Sequence, residues 1–63
     1  MISEKLMRQA DGKTINISFF PEKDLKHVKC TNFYRKEEDD EENMLEIGNI
    51  LLNQSEIESI EIL

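Results

Sequence analysis

The sequence predicts a small α+β domain spanning residues 1–63, with strands and helix in the order β-β-β-α-β and the helix packed on one face of a mixed sheet. Three observations carry this expectation. Residues 14–20 alternate between apolar and polar side chains, residues 44–52 place apolar side chains at helical spacing, and residues 58–63 alternate again. The chain has 63 residues, 38% of them apolar, and a chain of that size buries only about 60% of the surface its unfolded form exposes. Such a core holds a handful of side chains, which excludes two domains and disfavours a deep enzyme pocket. The one Cys forms no internal disulfide, so the fold rests on packing, and a second copy is the natural source of further burial. A homodimer is therefore expected.

Taken in order, residues 2–10 read as a first strand. Asp11-Gly12 is a strong hairpin signal, and folding back across it places Ile2 and Leu6 on the face of Ile15, Ile17 and Phe19. The competing possibility is a short helix from Ser3 as N-cap to Gly12 as terminator, with Ile2, Leu6 and Ala10 on one side. The second strand, residues 14–20, ends at Pro21, which donates no ladder hydrogen bond, and Glu22-Lys23-Asp24 is turn material. Residues 27–35 form a third strand with Val28 and Cys30 on alternating positions and a phase shift, read as a bulge, at Phe33-Tyr34. A helix opened by Pro21, aligning Leu25 and Val28, is the alternative there.

From Asp39 the pattern reads as helix. Asp39 and Glu42 stand as cap and third residue, and Met44, Ile47, Gly48, Leu51 and Leu52 make one stripe. Gly48 in that stripe suggests close approach to the sheet, at a cost of about 1 kcal/mol relative to Ala. Residues 58–63 close the fold with Ile60 and Ile62 inward. A right-handed crossover would make this last strand parallel to the third and set it beside the first.

The charges are segregated. All eight Lys and Arg lie in residues 1–36 with four acids, whereas residues 37–63 hold ten acids and no Lys or Arg, so the halves carry +4 and −10. At the join, Arg35-Lys36 runs into six consecutive acids, Glu37 to Glu42. Gathering like charges creates a local field that mixed charges would not.

Several chemistries can be set aside. Cradling phosphate takes a glycine-rich loop, and Gly12 and Gly48 are far apart in sequence. His27 and Cys30 point to opposite faces if they lie on a strand, and they complete no zinc ligand set by themselves. Cys30 is expected as a small buried hydrophobe and His27 as an exposed strand residue. Consecutive solvated acids share one environment, so they make no acid-base pair, and their spacing does not match a calcium loop. No cofactor, metal site or enzymatic activity is expected.

The longest apolar run, Ile50-Leu51-Leu52, falls far short of the roughly 18 residues a membrane span requires. Glu4, Lys5, Arg8, Asp11 and Lys13 interrupt any signal core, so a cytoplasmic location without membrane contact is expected. In size, acidity and expected layout the chain is similar to small accessory proteins of bacteria and their phages, an analogy of class that assigns no residue a role.

The acidic run reads as an ordinary solvated loop ahead of a well-capped helix, as a docking surface, or as a counterpart to the basic half within or between copies. The functional reading is a non-enzymatic regulatory module that binds a protein with a basic surface, occluding a site whose natural ligand is nucleic acid. Its binding residues are expected to be Glu38, Asp39, Asp40, Glu41, Glu42 and Glu46. The opposing hypothesis is single-stranded nucleic-acid binding by the basic half, through Lys5, Lys13, Lys29 and Arg35 with Phe20, Phe33 or Tyr34. The negative overall field disfavours nucleic acid.

Overall fold

A computed structural model describes residues 2–63. It is a small α+β structure of one helix and six strands, the strands forming two three-stranded antiparallel sheets. The elements run α1 (Glu4–Ala10), β1 (Thr14–Phe19), β2 (Lys23–Lys29), β3 (Asn32–Tyr34), β4 (Met44–Ile47), β5 (Ile50–Asn53), a 3-10 turn (Gln54–Glu56) and β6 (Ile57–Ile62). One sheet has the order β2-β1-β6 and the other β3-β4-β5.

The central strand β1 follows the expected alternation, burying Ile15, Ile17 and Phe19 and turning Asn16 and Ser18 outward. Its neighbours differ from expectation. Residues 2–10 hold a helix over Glu4–Ala10, not a first strand: Ser3 accepts the Leu6 N–H at 3.1 Å as N-cap, and Met7 and Ala10 are buried. The spacing of Ile2, Leu6 and Ala10 is four, which satisfies both the strand and the helix period, so the repeat could not discriminate. Asp11-Gly12 ends this helix instead of turning a hairpin. Gly12 has φ +78° and its N–H donates to the Cys30 carbonyl at 2.9 Å, tying the helix exit to the end of β2.

The expected third strand is two strands. β2 begins at Lys23, inside the expected turn, and the chain then bends at Cys30-Thr31 from one sheet into the other. Backbone bonds hold this corner on both sides, Cys30 N–H to the Lys13 carbonyl at 2.9 Å and Thr31 N–H to the Glu46 carbonyl at 2.8 Å. The bulge lies not at Phe33 but in β2, where the register with β1 shifts and His27 adopts φ +53°. Asn16 accepts the His27 N–H at 2.9 Å and donates to Glu61 at 2.9 Å, so one side chain of the central strand braces both of its neighbours.

The helix expected from Asp39 is a β-hairpin. β4 and β5 pair with Ile47 opposite Ile50 and Leu45 opposite Leu52, closed by the two-residue loop Gly48-Asn49. Gly48 has φ +63°, the conformation required at the first central position of a type II′ turn, and this, not close packing, explains the glycine. The crossover expected for a helical connection is therefore absent. β6 lies beside β1 and runs antiparallel to it, with Ile17 opposite Ile60 and Phe19 opposite Ile57. Its deepest residue is Ile57, whereas Ile62, expected inward, remains 36% exposed.

One core joins both sheets and the helix: Met7 and Ala10, the three β1 residues, Cys30, Leu45, Ile47, Leu52 and Ile57. Leu25, Val28, Phe33 and Ile60 pack at its margins. A Cβ added at Gly48 meets nothing within 4 Å, so substitution there acts through backbone strain alone. Gly48→Ala is expected to lower unfolding free energy by about 1 kcal/mol in urea titration. An unchanged midpoint would show that the hairpin tolerates an L residue at positive φ.

Candidate functional site

The sequence-predicted acids do not act as one group. Glu38, Asp39, Asp40, Glu41 and Glu42 lie together in the loop between β3 and β4, whereas Glu46 sits on β4. Its carboxylate accepts from the Thr31 hydroxyl at 3.0 Å and Asn32 Nδ2 at 3.2 Å, bracing the corner between the sheets. Glu41 folds the loop upon itself, accepting the N–H groups of Glu37 at 3.0 Å and Glu38 at 3.2 Å through Oε1. Glu42 ties the loop to the 3-10 turn, accepting the Ser55 N–H at 2.8 Å and its hydroxyl at 2.9 Å. These three carboxylates are structural acceptors, and a bond to an ionised acceptor is stronger than a neutral one. Glu37, Glu38, Asp39 and Asp40 are left facing solvent.

The base of the loop is held by Asn43, which is 3% exposed and was not singled out by sequence. Its Oδ1 accepts the Lys36 N–H at 2.9 Å, and its Nδ2 donates to Glu4 and to Gln54, each at 3.2 Å. Its carbonyl accepts the Gln54 N–H at 2.9 Å. The loop is thereby fixed at both ends to α1 and to the 3-10 turn. The signal was available in principle: with Leu45 and Ile47 taken as alternating strand residues, Asn43 falls just before the strand on their side, where a polar residue must find partners.

Arg35 and Lys36 line the clefts on either side of the loop, yet the one ion pair among the described residues is Arg8 to Glu4 at 2.8 Å. Arg8 also lies over the Phe33 ring, 5.2 Å from its centroid. The Arg8 hydrogen bond is the main cause that holds the Glu4 carboxyl below its ordinary pKa; burial opposes it, and the charge of Arg8, the Asn43 contact and the charge of Arg35 assist. One open cleft of about 420 Å³ runs beside the loop, lined by Tyr34 and Met44 together with Glu37, Asp40, Glu41 and Glu42. A second, of about 230 Å³, is bounded by Glu4, Arg8, Glu38 and Asp39.

Cys30 is fully buried, and desolvation, first among the causes, raises its thiol pKa, which favours the unreactive neutral form. His27 is exposed on the β2 bulge. Among the described residues no three His, Cys, Asp or Glu side chains converge on a metal-sized site, and no helix is long and apolar enough to cross a membrane. Of the aromatics in the basic half, Phe20 is exposed at the β1–β2 turn, Tyr34 is exposed on the other sheet, and Phe33 is half-buried beneath Arg8. No family model, curated protein or solved structure matches the chain.

Two predictions test this construction. Asn43→Ala removes the three hydrogen bonds of the buried Asn43 side chain and is expected to cost about 1–3 kcal/mol in chemical unfolding. For Glu4→Gln, the parent's advantage should be fully present at neutral pH, because a carboxyl with a depressed folded pKa stabilises the fold above its unfolded pKa. That advantage should disappear as pH falls through the folded pKa, so the two unfolding curves should converge in acid. Equal separation at every pH would show that the Glu4 charge contributes nothing.

Proposed function

We propose that the protein is a non-enzymatic binding module whose loop of exposed carboxylates, Glu37 to Asp40, docks on a basic surface of another protein. The observation that carries the proposal is an ordered loop with outward acids. Four consecutive carboxylates face solvent on a backbone fixed by Glu41, Glu42 and Asn43, and among the described residues no cation lies within ion-pairing distance of them.

A fixed array loses less conformational freedom on binding than a mobile one, and its field accelerates encounter with a cationic partner. The cleft beside it adds chemical detail. Tyr34 and Met44 offer apolar surface for the stem of an Arg side chain, and four acids, Glu37, Asp40, Glu41 and Glu42, line the same cleft against two cations, Arg35 and Lys36. The partner would therefore present arginines on a surface that otherwise contacts phosphates, and docking would occlude it. The free, buried thiol of Cys30 is in keeping with a reducing compartment such as the cytoplasm.

The direct test is an NMR titration of the full chain with an arginine-rich peptide at low and moderate salt. Amide shifts should be confined to residues 34–44, and affinity should fall as salt rises. The triple change Glu38→Gln, Asp39→Asn and Asp40→Asn spares Glu41 and Glu42, so the fold should be retained while affinity drops about tenfold or more at low salt. Binding that survives the triple change, or shifts centred on another face, would exclude this surface. A parallel titration with single-stranded oligonucleotide should produce no shifts.

A further inference from the structure

The four outer strand edges of the two sheets are unequal. A sheet edge presents unpaired N–H and C=O groups, and proteins blunt it with charges, bulges or extreme shortness. Edge strand β2 carries Lys23, Asp24, Lys26 and Lys29 and is bent by the His27 bulge. β6 carries Glu58 and Glu61, and β3 has three residues. β5 has none of these protections: it reads Ile-Leu-Leu-Asn, with Ile50 40% and Leu51 51% exposed.

Its hydrogen-bond geometry singles out Leu51. The two-residue loop makes Ile47 and Ile50 the bonded pair that closes the hairpin, so the next pair, Glu46 and Leu51, is non-bonded. The N–H and C=O of Leu51 therefore point away from β4, and among the described residues no backbone group takes them up. The following outward N–H, at Asn53, is already accepted by Glu56 at 3.0 Å. Glu46, the one charged residue across from Leu51, is turned toward Thr31 and Asn32 on the far side of β4. The open stretch of β5 is thus apolar and uncharged.

We infer that β5 pairs antiparallel with β5 of a second copy, about a two-fold axis at Leu51, so that two three-stranded sheets become one of six strands. Charge identifies the occupant. The same symmetric arrangement on β6 would bring Glu61 and Glu58 of one copy against those of the other, and like charges directly opposite are destabilising. At β5 the residues that meet are Asn49, Ile50, Leu51, Leu52 and Asn53, none of them charged. The interface is isologous, so it closes at two copies and leaves no further open β5 edge. It also covers Ile50 at the rim of an open apolar groove formed with Leu25, Val28 and Ile47.

Sedimentation and light scattering on the full chain test the pairing. The expected mass is twice the 7.4 kDa of the chain, with association that strengthens as salt screens the net negative charge, opposite in sign to the acidic-loop interaction. Leu51→Lys should halve the mass while leaving the circular dichroism unchanged, and Ile62→Lys on β6 should leave the dimer intact. A monomer throughout the concentration series, a dimer that survives Leu51→Lys, or dissociation by Ile62→Lys would each overturn the inference. Because none of these variants alters Glu37 to Asp40, failure here leaves the acidic-loop titration unaffected.

Discussion

The acidic loop, α1 and the 3-10 turn are joined through one buried side chain, Asn43. In so short a chain the two sheets share a core of ten buried hydrophobic residues, and the loop that links β3 to β4 would otherwise be a free strand of acids. A buried amide requires partners for both its oxygen and its nitrogen. Here the oxygen captures the entry of the loop, at Lys36, and the nitrogen captures α1 through Glu4 and the 3-10 turn through Gln54. Gln54 in turn donates to the Ile2 carbonyl at 2.8 Å, so the start of the described chain is held by the same network. No buried side-chain polar atom lacks a partner among the described residues. A satisfied buried network resists rearrangement because each partner lost leaves another group unpaired.

The acidity of the chain has a similar division of roles. Seven of its fourteen carboxylates, Glu4, Asp24, Glu41, Glu42, Glu46, Glu56 and Glu61, accept hydrogen bonds from the protein itself. Most of these bonds join segments distant in sequence, such as Glu42 with Ser55 and Glu61 with Asn16. An ionised carboxylate accepts at several positions and donates at none, which suits it to loop backbones with free N–H groups. Among the described residues only Glu4 is paired with a cation; the other six keep their charge, but their oxygens are already engaged within the fold. What remains for recognition is the part of the acidic run that the loop does not use, residues 37 to 40.

How much of this was legible in the sequence depended on whether one period or two could explain the same residues. β1 was legible because three apolar residues at spacing two fit no helix. Residues 2–10 were ambiguous because a spacing of four fits both, and Ser3 as N-cap was the better guide. In residues 44–52 the helical stripe competed with a pattern symmetric about Gly48-Asn49, in which Leu45 and Ile47 mirror Leu52 and Ile50. The Gly-Asn pair between two apolar runs was the discriminating signal, since positive φ at a two-residue loop is worth more to a hairpin than a glycine is to a helix interior. For the site, the exposed acids were legible from composition alone. The structural roles of Glu42 and Glu46 were not, because their partners Ser55 and Thr31 become neighbours only through the tertiary fold, and Glu41, whose partners Glu37 and Glu38 are local, was read as the first turn of a helix and not as the brace of a loop.

The acidic loop and the β5 edge impose a joint geometric condition. Met44 and Asn53, paired across the hairpin, both line the cleft beside the loop, so the loop lies at the Asn53 end of β5. In an antiparallel pair centred on Leu51, Asn53 of one copy faces residue 49 of the other. The two Asn53 residues are then four positions apart along the strand, roughly 14 Å at about 3.4 Å per residue. That exceeds the screening length of about 8 Å at physiological salt, so the two acidic loops repel one another only weakly. A parallel pairing would place them side by side, at full repulsion. Under the proposed pairing, antiparallel symmetry would let a chain with a concentrated negative charge self-associate through an uncharged strand, and would set the two acidic loops at opposite ends of one sheet, suited to a partner that repeats its basic site.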